Sequence, residues 1–232
     1  MIGLVLVSHS DALVAGLRDL VAQMEPEVPL ALAGGTDEGQ LGTSLELVMA
    51  AIDEADGGDG AIILFDLGSA EMTAESALEF LVDDQRDRVL VVDAPLVEGA
   101  IAAASAAGGG ANLGEVAAAA ARVCSGAEPA DEDDAGELGH SVELELTNVG
   151  GLHARPAGQI SRAVRGLDAQ VRVERADTAE DASAASTLGL VALGAGAGTT
   201  IVVRAGGPDA QQALARVREL VEDRFDEPPA EL

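Results

Sequence analysis

The sequence contains no lysine, no tryptophan and no tyrosine, and it has a single cysteine, Cys124. One cysteine excludes an internal disulfide and is typical of a reducing compartment. The N-terminus lacks a positively charged region and its apolar run is short, so we expect no secretory leader. No stretch of 18 apolar residues occurs, which predicts that the protein does not insert into a membrane. These absences together predict a cytoplasmic protein.

Basic residues are also scarce. The chain has 13 of them, all arginine, against 41 acidic residues, and its formal net charge is −28. A deficit of this size argues against nucleic-acid binding, which needs a basic footprint for the phosphate backbone. Because 48% of the residues are hydrophobic and the apolar segments are well patterned, disorder does not explain the charge. We interpret the charge as an acidic surface adapted to concentrated salt, a hypothesis about habitat and not about function.

Two domains are predicted, joined by an acidic linker. Residues 1–124 alternate short apolar runs with helical patterns, which predicts an α/β domain with a doubly wound parallel sheet. Residues 125–139 carry six acidic residues and no basic one, which is typical of an exposed linker. Residues 140–232 open with the strict alternation of a half-buried strand and close with a helical pattern over Asp209–Phe225. Their element order predicts an α+β domain with an open-faced antiparallel sheet.

Several familiar binding motifs are missing. No G-x-G-x-x-G segment follows the first apolar run and no Walker loop occurs, so the sequence gives no support for a nucleotide cofactor. No pair of histidine or cysteine residues has the spacing of metal ligands, and we expect no metal. We therefore expect a protein without a cofactor.

The first candidate site lies where predicted strands end. The apolar run Ile2–Val7 stops just before His9, and the run Ala61–Phe65 stops just before Asp66. Open α/β sheets bind ligands at the carboxyl ends of their strands, and a carboxylate behind an imidazole fixes its tautomer. A lone histidine at a strand end is also often structural, and this alternative stays open for His9 taken alone. Small residues beside the same strand ends would let a phosphoryl group approach backbone N–H groups: Gly34, Gly35, Thr36, Gly68 and Ser69.

The second candidate site is the segment Gly150–Ala157. His153 occupies the position of a helix N-cap, and Pro156 is tolerated in the first turn of a helix. A phosphoryl group on His153 would meet free N–H groups and the positive end of the helix dipole. Arg155 could add a charge-assisted hydrogen bond. The alternative is an ordinary junction between a turn and a helix.

These two motifs carry a resemblance to phosphotransfer proteins. Residues 1–123 resemble the enzyme IIA domain of the phosphotransfer subunit of phosphoenolpyruvate-dependent dihydroxyacetone kinase, a relative of the mannose-family enzyme IIA. The resemblance implies that His9 is phosphorylated and that Asp66 is its carboxylate partner. Residues 140–225 resemble the histidine-containing phosphocarrier HPr, with His153 as the active-site histidine and Arg155 as its neighbour. Ser186 falls in the region of the HPr regulatory serine, although a helix N-cap is the role that its neighbours favour. Many HPr proteins have asparagine where this chain has Gly150.

The resemblance implies a phosphotransferase that acts in a relay. Enzyme I, expected to be a separate protein, would phosphorylate His153 from phosphoenolpyruvate, and the group would pass to His9. The acceptor would be a nucleotide on the ADP-binding subunit of dihydroxyacetone kinase, whose partner subunit holds dihydroxyacetone. The enzyme IIA domains of this family pair as homodimers. Two alternatives remain, a mannose-type sugar-uptake component and a binding module that senses phosphorylation state.

Overall fold

The computed structural model describes residues 1–123 and 138–228. The chain separates into two units, Met1–Ala127 and Glu128–Leu232, each with its own sheet and core. Of the predicted linker at residues 125–139, only residues 138 and 139 lie within the described part. The exact domain boundaries therefore stay a prediction.

The first unit is built on a four-stranded parallel sheet with the order β2-β1-β3-β4, which confirms the predicted α/β class. Its strands are β1 (Gly3–Ser8), β2 (Leu30–Gly34), β3 (Ala61–Phe65) and β4 (Val89–Val91). Its helices are α1 (Asp11–Met24), α2 (Leu45–Ala55), α3 (Gly68–Leu78), α4 (Asp83–Arg86), α5 (Leu96–Gly108) and α6 (Leu113–Arg122).

Helices cover both faces of this sheet. Every residue of β1 and β3 is buried, which is why both strands are continuous apolar runs and not alternating ones. Helices α2 and α3 pack on the face that carries Val5, Val7 and Ile63. Helix α5 contacts β1 and β3, helix α6 contacts β3, and Leu64 on β3 lies beside Gly99 of α5. The rigid centre of the sheet therefore positions the loops at its carboxyl edge.

The second unit is a four-stranded antiparallel sheet with the order β5-β8-β6-β7, which confirms the predicted α+β class. Its strands are β5 (His140–Glu145), β6 (Gln170–Arg175), β7 (Asp181–Ser183) and β8 (Thr200–Gly206). Its helices are α7 (Ala154–Val164), α8 (Thr187–Ala192) and α9 (Ala210–Glu222). One apolar core joins the inward side chains of the sheet to the three helices, which pack through residues such as Ile160, Leu190 and Val217.

The last helix ends earlier than the helical pattern predicts. Helix α9 stops at Glu222, and a short turn over Arg224–Asp226 follows it. Three consecutive residues of this turn, Arg224, Phe225 and Asp226, have φ between 54° and 58°, the left-handed region that side chains other than glycine rarely adopt. Phe225 is nevertheless 1% exposed, because the turn points its ring into the core.

Among the helices of the described residues, none is long and apolar enough to cross a lipid bilayer.

Candidate functional sites

The parallel register of β1 and β3 creates the first site. Val7 pairs with Phe65, so the residues that follow both strands emerge at one edge of the sheet. His9 and Asp66 meet there, with Oδ1 of Asp66 3.0 Å from Nδ1 of His9. The structure thus brings together the two residues that the sequence paired.

The carboxylate of Asp66 is held by three groups. Its Oδ2 accepts hydrogen bonds from the Ser8 hydroxyl at 2.8 Å and from the backbone N–H of His9 at 2.9 Å. Partial burial raises the pKa of Asp66, but the hydrogen bonds from the His9 backbone, the His9 ring and Ser8 outweigh it, and the pKa lies below its usual value. Asp66 is therefore ionised at neutral pH and can only accept hydrogen bonds.

An ionised acceptor at Nδ1 assigns the tautomer of His9. The neutral ring must place its proton on Nδ1, which leaves a lone pair on Nε2. Nε2 lies 2.8 Å from the hydroxyl of Ser69, in the first turn of α3. Backbone N–H groups in the first turn of a helix have no partner earlier in that helix, and Gly68 and Ser69 are the first two residues of α3. The Nε2 lone pair of His9 thus faces a helix N-terminus.

The Gly34-Gly35-Thr36 segment has a packing role beside this site. A Cβ on Gly34 would lie 2.5 Å from Cα of Asp11, so glycine lets the start of α1 approach β2. The N–H of Gly35 donates to the Ser8 carbonyl, and the N–H of Thr36 donates to the Gln40 carbonyl. These two N–H groups are occupied within the protein and hold the loop beside His9.

The second site forms at the start of α7. His153 is the N-cap residue, with extended backbone and no side-chain capping bond, as its position in the sequence predicts. Its Nε2 lies 2.8 Å from Oε1 of Glu227, and the other carboxylate oxygen accepts a hydrogen bond from Asn148 at 2.9 Å. This carboxylate occupies Nε2 and not Nδ1, the reverse of the arrangement at His9.

Gly150 and Arg155 flank the ring of His153. A Cβ on Gly150 would lie 2.4 Å from Cδ2 of His153, so this position leaves room for the imidazole. Arg155 follows in the first turn of α7 and is half-buried. Within the described residues its guanidinium has no hydrogen bond or ion pair, so it keeps its donors for an anion.

Ser186 caps a helix. Its hydroxyl accepts a hydrogen bond from the N–H of Gly189 at 3.0 Å, and Ser186 is the N-cap residue of α8. The structure therefore shows the helix-capping role that the sequence favours for Ser186. A regulatory role for Ser186 stays a prediction.

Sequence reasoning missed three residues of these sites: Ser8, Asn148 and Glu227. The serine adjoins His9, and its small polar side chain at a strand end was a usable signal. Glu227 and Asn148 are 79 residues apart. Glu227 follows a left-handed turn that contains no glycine, so the sequence gives no signal for the turn. Only the fold brings that pair together.

The two units define a class of protein. An α/β unit with a histidine at the carboxyl end of its first strand, and an open-faced antiparallel unit with a histidine at a helix N-cap, form the pair of modules found in histidine phosphotransfer proteins. Residues 3–120 match the EIIA-man family model, described as the PTS system fructose IIA component, and the chain belongs to this family. Residues 140–223 match the model described as the PTS HPr component phosphorylation site.

The chain is similar to several curated relatives. The PEP-dependent dihydroxyacetone kinase, phosphoryl donor subunit DhaM, of Providencia stuartii is 33% identical over 97% of this chain and 50% of its own length. A DhaM of Listeria innocua is 39% identical over 45% of this chain and 84% of its own length. The phosphocarrier protein NPr of Escherichia coli is 40% identical over 36% of this chain and 92% of its own length. The chain spans about half the length of the curated relatives that it matches from end to end.

Proposed function

We propose that this protein relays a phosphoryl group from enzyme I, first to His153 and then to His9. The final acceptor is a nucleotide on the ADP-binding subunit of dihydroxyacetone kinase, whose partner subunit binds dihydroxyacetone. One observation carries the proposal: each unit holds an imidazole with a carboxylate on one ring nitrogen, beside a helix N-terminus. The similarity to DhaM relatives, which are named as phosphoryl donor subunits of dihydroxyacetone kinase, supports this acceptor over others. The relay acts in the cytoplasm.

The transfer between the two sites is a displacement at phosphorus. The lone pair of His9 Nε2 forms a new P–N bond while the bond from phosphorus to His153 breaks, and that electron pair returns to the His153 ring. No redox partner is needed. The hydroxyl of Ser69 and the N-terminus of α3 stabilise the negative oxygens on arrival, and Arg155 does so on the donor side. Catalysis then rests on positioning and on charge neutralisation.

The order of transfer is tested by labelling. The full chain is incubated with enzyme I and phosphoenolpyruvate, and acid-labile phosphate is mapped. We expect His153→Ala to abolish all labelling, and His9→Ala to keep the label on His153 while stopping delivery to the kinase subunits. His140→Ala is the matched control, because His140 is exposed at the start of β5 and should be dispensable. Efficient labelling of His9 in the His153→Ala variant would refute the order.

A second function has some support. The EIIA-man family model carries the description of a fructose IIA component, which favours a sugar-uptake role. The two roles separate when the protein, kept phosphorylated by enzyme I and phosphoenolpyruvate, is offered the two dihydroxyacetone kinase subunits with ADP and dihydroxyacetone. Formation of dihydroxyacetone phosphate over many turnovers supports the kinase. Transfer only to a sugar-permease domain supports uptake, and a stable label that moves to neither supports a sensing module.

We also propose that the first unit pairs as a homodimer. Strand β4 is an edge of the four-stranded sheet, and exposed apolar side chains lie on it and in the segment before it: Phe80, Val82 and Leu90. A second copy would cover them. We expect Leu90→Glu to shift the mass in light scattering from dimer to monomer, whereas Leu13→Glu, at an exposed leucine of α1, should leave a dimer. A monomeric wild-type protein would contradict this pairing.

A further inference from the structure

The loop between β2 and α2 contacts the helix that carries Ser69. The hydroxyl of Thr43, in this loop, lies 2.9 Å from the hydroxyl of Thr73 on α3. Thr73 donates its own proton to the carbonyl of Ser69 at 3.1 Å, one turn earlier in the helix. A hydroxyl has one proton, so Thr43 is the donor between the two threonines. The hydrogen bonds therefore run from Thr43 through Thr73 to the residue whose hydroxyl lies 2.8 Å from Nε2 of His9.

Thr43 is held in place from both sides. It forms a parallel bridge with Gly35, whose N–H donates to the carbonyl of Ser8 at 3.0 Å. The next residue, Ser44, caps α2 by accepting a hydrogen bond from the N–H of Leu47 at 3.2 Å. Because Thr43 lies between a strand end and a helix cap, its hydroxyl can fix the position of the helix that it contacts.

The same loop also contacts the backbone of His9. The N–H of Gly42, the residue before Thr43, donates to the carbonyl of His9 at 3.0 Å. Two adjacent residues of the loop thus make two different contacts. Gly42 holds the backbone that carries the imidazole, and Thr43 holds the first turn of α3 through Thr73. The loop therefore sets the distance between the imidazole and the helix N-terminus that it faces.

A serine further along α3 shows what the contact with the loop adds. Ser76 donates to the carbonyl of Met72 at 2.8 Å, the same type of bond to the preceding turn that Thr73 makes. Ser76 is exposed, and within the described residues its hydroxyl has no further partner. Thr73 differs because it also accepts a proton from another element, so its bond to the helix backbone joins α3 to the loop.

From these contacts we infer that Thr43 and Thr73 are positioning residues of the first site, and that they hold the hydroxyl of Ser69 and the first turn of α3 at Nε2 of His9. Neither threonine exchanges the phosphoryl group. Because the site works by placing donors where negative oxygens arrive, a displacement of α3 slows the transfer without removing the nucleophile. The inference rests on the proposal that His9 carries a phosphoryl group, but its test needs neither enzyme I nor the kinase.

The test uses phosphoramidate, a small chemical donor, on the full chain labelled with ¹⁵N-histidine. The lone pair of His9 Nε2 forms a bond to phosphorus, the P–N bond of phosphoramidate breaks, and ammonia leaves with that electron pair. NMR follows the product at His9. The substitution Thr43→Val keeps the shape of the side chain and removes the donor, and we expect it to slow this reaction on the order of tenfold. Thr73→Val should slow it as much, and the double variant no further, because the pair acts as a unit.

Two controls separate positioning from general damage. Thr43→Ser keeps the hydroxyl, and Ser76→Ala removes a hydroxyl of α3 that does not contact the loop, so both should react at the wild-type rate. Backbone ¹H–¹⁵N spectra report whether each variant is folded. The unphosphorylated neutral ring gives a second readout, because a hydrogen bond from Ser69 moves the ¹⁵N resonance of Nε2 to lower frequency. Ser69→Ala gives the resonance without this bond, and we expect Thr43→Val to move toward it.

The inference fails if folded Thr43→Val reacts at the wild-type rate or keeps the wild-type Nε2 resonance. It also fails if Thr43→Ser is as slow as Thr43→Val, since the hydroxyl would then have no part in the effect. If Thr43→Val does not fold, Thr73→Val decides by the same two readouts. Slow reaction of the valine variants with phosphoramidate, together with no transfer from enzyme I to His9 in the wild type, would leave the positioning role standing and overturn the proposed relay instead.

Discussion

At the scale of single residues, both histidines depend on a carboxylate that is itself fixed. Asp66 is held by Ser8 and by the His9 backbone, and Glu227 is held by Asn148. In each case these hydrogen bonds restrict the rotation of the carboxylate, independently of its contact with the imidazole. A carboxylate fixed in this way sets a tautomer more firmly than a mobile one, because less side-chain entropy remains to be lost.

The substitution Asp66→Asn tests whether the carboxylate sets the tautomer of His9. The amide cannot act as an anionic acceptor at Nδ1, so the ring should lose its bias toward a lone pair on Nε2. We expect phosphorylation of His9 by phosphorylated His153 to slow on the order of 10²-fold while the protein stays folded. Asp11→Asn, an exposed carboxylate in the first turn of α1, is the matched control and should react at the wild-type rate. Equal rates for the two variants would exclude the assigned role.

The sequence could predict residues that follow strongly patterned elements. His9 and Asp66 each adjoin a buried strand of five or more residues, so their meeting follows from strand adjacency. His153 adjoins an amphipathic helix and was placed correctly at its N-cap. The contact between Glu227 and Asn148 was not predictable, because it depends on where a turn without glycine redirects the chain.

At the scale of elements, the differences between expectation and structure have local causes. Strand β7 spans only Asp181–Ser183, too short to show alternation, and it was not predicted. In α1 the buried residues are Val14, Leu17, Val21 and Met24, whereas the sequence alone also offers an apolar row of Leu13, Leu17, Leu20 and Met24. Both sets fit a helical period, and packing against the sheet selects between them. The helical pattern predicts an end at Phe225 instead of Glu222, because Phe225 continues the four-residue apolar spacing of Val217 and Val221.

The short helix α8 depends on its cap. Ser186→Ala removes the acceptor for the Gly189 N–H, and we expect the free energy of unfolding of the second unit to fall by about 1 kcal/mol. Ser186→Asn should keep most of the stability, because asparagine caps helices equally well. Calorimetry measures both variants. If the cap is the main role, relay rates in Ser186→Ala stay near wild type; unchanged stability with an altered rate would favour regulation.

An ion pair joins the end of α2 to the start of β4. Arg88 donates to both oxygens of Asp56, whose side chain is 1% exposed. Burial raises the pKa of Asp56, but its hydrogen bond with Arg88, those with backbone N–H groups and the charge of Arg88 together lower it below 3.8. A folded pKa below the unfolded one stabilises the fold above pH 3.8, and this contribution disappears as the pH falls through the lowered value.

Denaturant midpoints followed from about pH 6 to about pH 2 should therefore fall less steeply for the first unit in Asp56→Asn than in wild type. The variant starts from a lower midpoint at neutral pH, because it has already lost the ionic contact. Asp19→Asn, which removes an exposed carboxylate paired with Arg18, should reproduce the wild-type profile. Parallel acid profiles for wild type and Asp56→Asn would contradict the role of this pair.

At the scale of the whole molecule, charge is unevenly distributed. Residues 1–124 hold 21 acidic and 4 basic residues, a net of −17, whereas residues 140–232 hold 14 and 9, a net of −5. The screening length of salt falls from about 30 Å at 0.01 M to about 3 Å at 1 M. Self-repulsion should therefore destabilise the first unit most when salt is removed.

We expect the circular dichroism signal to fall on dialysis into about 0.01 M salt and to recover in about 1 M KCl. Calorimetry should show the transition of the first unit moving more with salt than that of the second. An unchanged spectrum and melting temperature at low salt would refute the adaptation to salt, without bearing on the phosphotransfer chemistry.

We expect the predicted linker to raise the local concentration of the two histidines and so to speed the proposed relay. Fifteen residues, 125–139, span at most about 50 Å and would hold the two histidines at an effective concentration on the order of millimolar. A protease site introduced there allows the chain to be cut after folding. At micromolar protein we expect cutting to slow phosphorylation of His9 sharply, with partial recovery at higher protein concentration. Equal rates before and after cutting would show that the two units meet as independent carriers.

The placement of the three phenylalanines gives the molecule a built-in set of spectroscopic reporters. Phe65 is the residue before Asp66, Phe225 lies two residues before Glu227, and Phe80 is 63% exposed on the surface of the first unit. With no tryptophan or tyrosine in the chain, replacing phenylalanine by a fluorinated analogue yields three ¹⁹F resonances and no aromatic background. Two of them adjoin the two histidine sites, and the third serves as a solvent-facing reference. Arrival of a phosphoryl group at either histidine can thus be followed in real time, one resonance for each site.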